Sequence, residues 1–292
     1  MSALAIDRSR IVTEHDKCVL VVSDLHCGSV FGLLPPNFET SSGAHLAQNA
    51  SQRYLWECWM DMVEWAARMP VVALIVNGDM IDGRQDKQHG SELALPLPGD
   101  QGQAAIQALT VLRKRLPLSH KLFILQGTEY HDGLAGKEAD TVAQLLGATQ
   151  YRGLGTGRYT REVLDLDIDG VAINFAHHIG TTTGMYRGTA IDKEALFATL
   201  ASREGKHIRC DALIRAHAHH FVHEELPHKH GVIGPCWQLQ TRFMRKKSVY
   251  RMIPDIGWVA LWVDPAAKKA GMDPIRVEKR IYPLPPATCT KL

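Results

Sequence analysis

The chain has 292 residues with 33 Lys+Arg against 31 Asp+Glu, is 45% hydrophobic and 22% charged, and carries a formal net charge of +2. This composition supports a sizeable core and excludes general disorder, and the near balance of charge excludes a binder whose whole surface is basic. No apolar run reaches the roughly 20 residues of a membrane-spanning helix, and residues 1–10 hold Asp7, Arg8 and Arg10 without an apolar stretch, so a cytoplasmic protein is expected.

In chain order, short continuous runs rich in Val, Ile and Leu are expected as buried strands at 18–22 (CVLVV), 71–76 (VVALIV), 121–125 (KLFIL), 171–175 (VAINF) and 212–214 (ALI). Helices are expected between them. At 52–69, Leu55, Trp59, Met62, Val63 and Ala66 form one stripe at helical spacing, and 103–116, 137–146 and 192–203 have helical character too. Residues 84–100 are polar with Gly and Pro and are expected to form a long loop or lid. After Phe221 the pattern breaks into short strand-like pieces at 236–241 and 258–263, then a proline-rich tail at 282–292. Strands alternating with helices predict an α/β fold with strands buried on both faces. We expect one domain over 1–292, with the polar lid at 84–100 and a loop-rich basic carboxyl third at 221–292.

Acids and histidines follow each expected strand. After the first come Asp24, His26, Cys27 and Gly28; after the second, Gly78, Asp79, Asp82 and Gly83; after the third, Gly127, Thr128, Glu129, His131 and Asp132. The fourth leads into His177-His178 and the fifth into His217, His219 and His220. Sites in open α/β sheets form where loops converge at the carboxyl ends of strands. In an extended segment residues i and i+2 share a side, so Asp24 with His26, and His217 with His219, are each expected to offer two metal ligands to one space. The six cysteines, at 18, 27, 58, 210, 236 and 289, form no CxxC pair and read as reduced thiols.

The ordered series D-x-H, G-D-x-x-D, a glycine-led turn with an acid and a His, a His after a strand, then H-x-H resembles the calcineurin-like metallophosphoesterase family over residues ~18–220. The resemblance implies an αββα four-layer sandwich of two mixed sheets flanked by helices, around two divalent metal ions. It implies Asp24, His26 and His219 as ligands of one ion, Asp79 as a bridging carboxylate, and His177 and His217 as ligands of the other. It further implies a phosphate mono- or diester substrate, attacked by a hydroxide held between ions ~3.5–4 Å apart. Family members act on phosphoproteins, nucleotides and DNA ends.

Two features depart from the family pattern. Where it has Gly-Asn-His, this chain has Gly127-Thr128-Glu129-Tyr130-His131, a form similar to members found among phage and prophage proteins. Either Thr128 or Glu129 takes the place of the Asn; we expect Glu129 as a ligand and His131 as the group that protonates the leaving oxygen, the two facing one side of an extended loop. A carboxylate there favours a hard ion such as Mn²⁺, with Fe, Zn, Ni or Mg as alternatives. Ala216 stands where the family has Gly, and either His177 or His178 is the fourth motif's ligand; His177, first after the strand, is preferred.

Other candidates weigh differently. His15, His45, His89, His120 and His207 read as ordinary core or surface residues, and His220, His223, His228 and His230 as a solvated loop. Asp82 either orients a ligand or caps a turn, Cys27 reads as a buried thiol, and Trp56, Trp59 and Trp65 as core packing. The run 242–251 holds Arg242, Arg245, Lys246, Lys247 and Arg251 with two aromatics and no acid. A solvated hairpin is the plainer reading; the functional one has Arg242, Arg245 and Lys246 contacting a nucleotide or nucleic-acid substrate. The glycine-rich 152–158 lacks the context of a phosphate-binding loop. Taken together, these residues predict a dinuclear phosphoesterase, the alternative being a non-catalytic metal-binding interaction module on the same fold. A mononuclear zinc hydrolase is disfavoured because no H-E-x-x-H is present.

Overall fold

The computed structural model describes residues 17–151, 157–180, 186–227 and 229–286. His15, His228, Cys289, most of the glycine-rich run at 152–158 and the end of the proline-rich tail lie outside the described residues. The first half contains β1 (Lys17–Val22), the short pair β2 (Phe38–Glu39) and β3 (His45–Leu46), α1 (Ala50–Ala66), β4 (Val71–Asn77), α2 (Pro98–Arg113), β5 (Lys121–Leu125), the single turn α3 (Glu129–Asp132) and α4 (Lys137–Leu145). Then come β6 (Thr160–Arg161), β7 (Val163–Ile168), β8 (Val171–Ala176), α5 (Thr189–Arg203), β9 (Ala212–Arg215), β10 (Val222–Leu226) and β11 (Lys229–Ile233). The last are α6 (Arg242–Lys247), β12 (Ile256–Val263), α7 (Pro265–Lys269) and β13 (Ile275–Tyr282).

Two mixed sheets result, one ordered β13-β12-β1-β4-β5-β6 and the other β10-β11-β9-β8-β7. Alternation along each strand distributes the apolar residues between layers. Cys18, Leu20 and Val22 of β1, with Leu74 and Val76 of β4, meet Leu55, Trp59 and Met62 of α1, Ala108 and Leu112 of α2, and Val142 of α4. Val19, Val21, Ala73 and Ile75 point the other way, onto Ile173, Phe175, Ile214 and Val232 of the second sheet. On that sheet's far side Leu213 and Ile233 pack against Ile191 and Ala195 of α5. The order is helices, sheet, sheet, helix: an αββα sandwich. Covering both faces of β1 and β4 is what makes their sequences unbroken apolar runs.

Local chemistry sets the element ends. Asn49 and Gln52 form a reciprocal capping box at the start of α1. Pro98 opens α2 five residues ahead of the sequence expectation, because proline fits the first helical turn whose N–H groups lack partners. Residues 236–241 form no strand beyond a single bridge from Cys236 to Ile256, since their amides are taken by loops: Trp237 N–H donates to the Asp24 carbonyl and Leu239 N–H to that of Phe31. The expected solvated histidine loop is instead the antiparallel pair β10–β11, carrying His223 and His230. The basic run forms a helix, α6, in place of a hairpin, because Thr241 caps it by accepting from the Met244 N–H. Edge strand β13 was not anticipated, since its charged residues hide its periodicity. Trp59 and Trp65 are core residues, edge-on to Trp237 at 4.9 Å and against Trp258 at 4.1 Å between ring centroids.

Candidate metal centre

At the carboxyl ends of β1, β4 and β9 the chain leaves each strand through a sharp turn, and β8 runs on into His177. Asp24, His26, Asp79, His217 and His219 all have φ between 45° and 69°, the left-handed region that costs a non-glycine residue about 1–2 kcal/mol. This corrects the extended-segment argument for Asp24/His26 and His217/His219: each pair is aimed by left-handed turns, not by strand alternation. The turns hold one another. Asp24 N–H donates to the Gly78 carbonyl, His26 N–H to that of Asp79, and Asp255 N–H to that of His219. Strain of this kind persists only where the surrounding structure holds it, as these bonds between loops do.

The side chains converge. His219 Nε2 lies 3.2 Å from Asp24 Oδ1 and 3.2 Å from His26 Nε2, while His177 Nε2 lies 3.1 Å and His217 Nδ1 4.0 Å from Asp79 Oδ2. Asp24, His26 and His219 thus form one group, and Asp79, His177 and His217 a second, with donor atoms within 4.8 Å of one another in each. A third grouping, His26 with Asp79 and His131, links the two. Asp24, His26, Asp79, His177 and His219 are buried, and His217 is exposed.

These donors fit a metal. Asp24 Oδ1 and His177 Nε2 are buried without a hydrogen-bond partner among the described residues, although other donor atoms lie close by. Atoms brought together without pairing are arranged for a cation. Supporting contacts fix the orientation of two of the rings, His26 and His177, and of the Asp79 carboxylate. His26 Nδ1 is 2.9 Å from Asp82 Oδ1, and Gln238 Nε2 donates to that same oxygen at 3.1 Å, so of the two readings of Asp82 the contacts carry the one in which it orients the His26 ring. His177 Nδ1 donates to the Asn77 carbonyl at 2.7 Å, turning Nε2 inward. Asp79 Oδ1 accepts from Thr128 N–H at 2.6 Å and Thr128 Oγ1 at 3.1 Å. Thr128, weighed with Glu129 for the place of the Asn, thus meets the Asp79 carboxylate; Asn77 and Gln238 were not among the candidates, since supporting residues carry no spacing signature in a sequence.

Glu129 is placed elsewhere. It opens the helical turn α3, is exposed, and belongs to none of the donor groups among the described residues. The segment is not the extended loop that was expected, and in a helix residues i and i+2 point to nearly opposite sides, so Glu129 and His131 diverge. His131 stays at the centre, with Nδ1 2.8 Å from the Asp82 carbonyl and its ring 4.5 Å from that of His26. His178 is exposed whereas His177 is buried. Cys27 is a fully buried thiol whose ionisation burial pushes well up.

Charge at the centre is strongly coupled. Burial works against the charged His177 imidazole, but Asp79 and Asp24 outweigh it and lift the group to about 10. Burial likewise opposes the Asp24 carboxylate, yet His219 and His177 hold it down at about 2. Burial and the neighbouring Asp79 push Asp132 up to about 7. In metal-free protein the His177 contribution to stability is complete below 6.5 and is lost as pH rises through about 10. The Asp24 contribution is complete above 3.8 and is lost as pH falls through about 2. A cation must displace the His177 proton. We expect metal binding at neutral pH to release at least one proton, and apparent affinity to fall with pH, read by calorimetry in buffers of different ionisation heat. Binding without proton release would contradict this charge state.

The centre opens into a cleft of about 690 Å³. Its wall includes Gln85, Lys87 and Gln88 from the polar 84–100 stretch, Tyr130, Arg187, and Phe243, Met244, Lys247 and Arg251 from the α6 region. Arg242, Arg245 and Lys246 are not among its lining residues; Arg245 stacks over the Phe31 ring at 5.6 Å.

No protein-family model matches the chain, and no curated protein does. Among solved structures it is similar to an archaeal phosphodiesterase, at 10% identity and a TM-score of 0.44, over 91% of this chain and 99% of that one. It is also similar to wild-type Vps29 complexed with Zn²⁺ from Entamoeba histolytica, at 12% identity and a TM-score of 0.40, over 90% and 98%. A third similar structure is a predicted phosphoesterase from Streptococcus pneumoniae, at 8% identity and a TM-score of 0.35, over 92% and 100%.

Proposed function

We propose that the protein is a dinuclear metal-dependent phosphoesterase of the calcineurin-like type, hydrolysing a phosphate mono- or diester, with nucleotide or nucleic acid favoured. The observation that carries this reading is the pair of donor groups, Asp24/His26/His219 and Asp79/His177/His217, joined through Asp79 and His26 at the floor of a cleft. Each group would hold one divalent ion, with Mn²⁺ the first to try and Fe, Zn, Ni or Mg as alternatives for this mixture of carboxylate and imidazole donors. Bound there, the ions would supply Lewis-acid neutralisation of phosphate oxygens and a lowered pKa for water.

The protein's own groups do the rest. Thr128 fixes the Asp79 carboxylate, and Asp82 and Asn77 fix the rings of His26 and His177. His131, with Nδ1 on the Asp82 carbonyl, has Nε2 left to pass a proton to the leaving oxygen. Lys87, Arg187, Lys247 and Arg251 give the outer cleft a cationic wall beside Tyr130 and Phe243, which suits a substrate with further phosphates and a flat ring. A cytoplasmic location belongs to this reading, since Cys18, Cys27, Cys58, Cys210 and Cys236 are buried free thiols.

The test is turnover of bis-p-nitrophenyl phosphate with Mn²⁺, abolished by a chelator and restored by the ion. No turnover of mono- or diesters with any divalent ion would leave the non-catalytic binding module in its place. If turnover is found, Lys247→Ala with Arg251→Ala should raise KM for a single-stranded oligonucleotide and flatten the slope of log affinity against log salt by about 0.7 per lost contact. The small chromogenic ester should be hydrolysed as before; an equal loss on both substrates would remove these cations from substrate recognition.

A further inference from the structure

We propose that Asp165, His207 and Cys210 form another metal site, for one zinc-class divalent cation, on the outer face of the second sheet. The three donor atoms lie within 4.8 Å of one another, a carboxylate, an imidazole and a thiol, and none of the three belongs to the centre described above. His207 and Cys210 stand in an H-x-x-C spacing on the segment between α5 and β9, a short span typical of paired zinc ligands. Asp165 comes from β7, the edge strand of that sheet.

Contacts around Asp165 and His207 leave one donor atom of each free, while the Cys210 thiol rests on the Ile208 carbonyl at 3.7 Å. Asn174, directly across the ladder on β8, donates Nδ2–H to Asp165 Oδ1 at 2.8 Å, leaving Asp165 Oδ2 to face His207 Nε2 at 3.6 Å. His207 Nδ1 is 3.3 Å from the Ile208 carbonyl, which makes Nε2 the free nitrogen. Cys210 is 2% exposed, while the side chains of Asp165 and His207 are 35% and 39% exposed. The group therefore has one anchored donor and two that reach it from the solvent side. A cation bound there would take the place of the Cys210 thiol proton.

The fold gives the site a purpose. α5 packs against β9 and β11. On the outer face of β7 and β8, Asp165 is exposed and its partner Asn174 is buried, and the segment after α5 brings His207 against Asp165. One cation there would tie the α5–β9 connection to the sheet edge, doing with three ligands what the α5 helix does elsewhere with apolar contact. With three protein donors, the fourth position is left to water.

Titration of the whole protein with Co²⁺ tests this by a signal independent of catalysis. We expect a thiolate-to-cobalt charge-transfer band in the near ultraviolet, present in the Asp79→Ala variant, lost in Cys210→Ser and displaced by added Zn²⁺. His207→Ala, which leaves the thiol in place, should weaken Co²⁺ binding in this band by at least about tenfold. Zn²⁺ should also raise the melting temperature of Asp79→Ala, and not that of the Asp79→Ala/His207→Ala double variant. The absence of a band, or a band that survives Cys210→Ser, overturns the proposal.

Discussion

Replacing Asp79 with alanine is expected to lower metal-dependent phosphodiester turnover by about a thousandfold or more while leaving the fold intact. The carboxylate is buried, secured on one oxygen by Thr128 and presented on the other to His177 and His217. A unit charge about 4 Å from another contributes roughly 4 kcal/mol at an effective dielectric of about 20, about three decades in a rate or binding constant, and a dication doubles it. Asp79→Asn separates charge from shape, because its side-chain oxygen can still accept from Thr128 while the charge is gone. Both variants should lose the metal held at this centre, keeping by elemental analysis no more than the ion of the Asp165/His207/Cys210 site, and retain the circular dichroism of the parent. In metal-free Asp79→Ala the His177 imidazole should also titrate lower, since the first of the two carboxylates that lift it is absent. Turnover within tenfold of the parent would remove Asp79 from the centre and with it the shared carboxylate on which the hydrolytic reading depends.

Much of the layering was legible in the sequence because burial on both faces writes itself as unbroken apolar runs. β1, β4, β5, β8 and β9 appear within a residue or two of the runs that announce them. Strand β13 was not legible, because IRVEKRIY spreads its charges along an edge and carries no such run. The donor groups were legible as types and order, since D-x-H and H-x-H follow strands directly. What aims them was not: the left-handed backbone at Asp24, His26, Asp79, His217 and His219 is imposed by bonds between loops far apart in the chain. Glu129 shows the cost of assuming extension. Thr128 opens a helical turn, so the residue after it turns to solvent and Thr128 itself meets Asp79. The basic run at 242–251 was legible as charge, but which of its cations face the cleft depends on the phase of α6, and that phase is set by the Thr241 cap. His207 reads as an ordinary surface residue until Asp165 arrives beside it from β7, 42 positions away.

Gly127→Ala is expected to damage both stability and the centre, the second large effect. A Cβ at Gly127 would stand 2.1 Å from Asp79 Oδ1 and 2.2 Å from the Asp79 backbone nitrogen, distances that no side-chain rotation relieves. On the facing turn, a Cβ at Gly78 would meet Gly127 Cα at 2.8 Å and His177 Nδ1 at 2.4 Å, and the φ of +81° at Gly78 also favours glycine. Two glycines back to back therefore let the turns after β4 and β5 approach closely enough for Thr128 to grip the Asp79 carboxylate. With alanine at 127 the β5 turn must withdraw. Overpacking of this kind costs about 1–3 kcal/mol, which for a chain of this size lowers the melting temperature by roughly 2–10 °C. The functional loss should be larger than the stability loss, because a shift of about 1 Å in a positioning group can cost on the order of a hundredfold in rate. Gly99→Ala is the control: an added Cβ there meets nothing within 4 Å, and the position lies in the first turn of α2. Thermal unfolding, Mn²⁺ isotherms and turnover on the same preparations separate the effects. The close approach predicts that Gly99→Ala keeps parental affinity and turnover while Gly127→Ala loses both even at temperatures where it is fully folded. If the two variants behave alike, the turns after β4 and β5 do not meet as closely as 2.1 Å implies, and Thr128 is not what holds Asp79 in place.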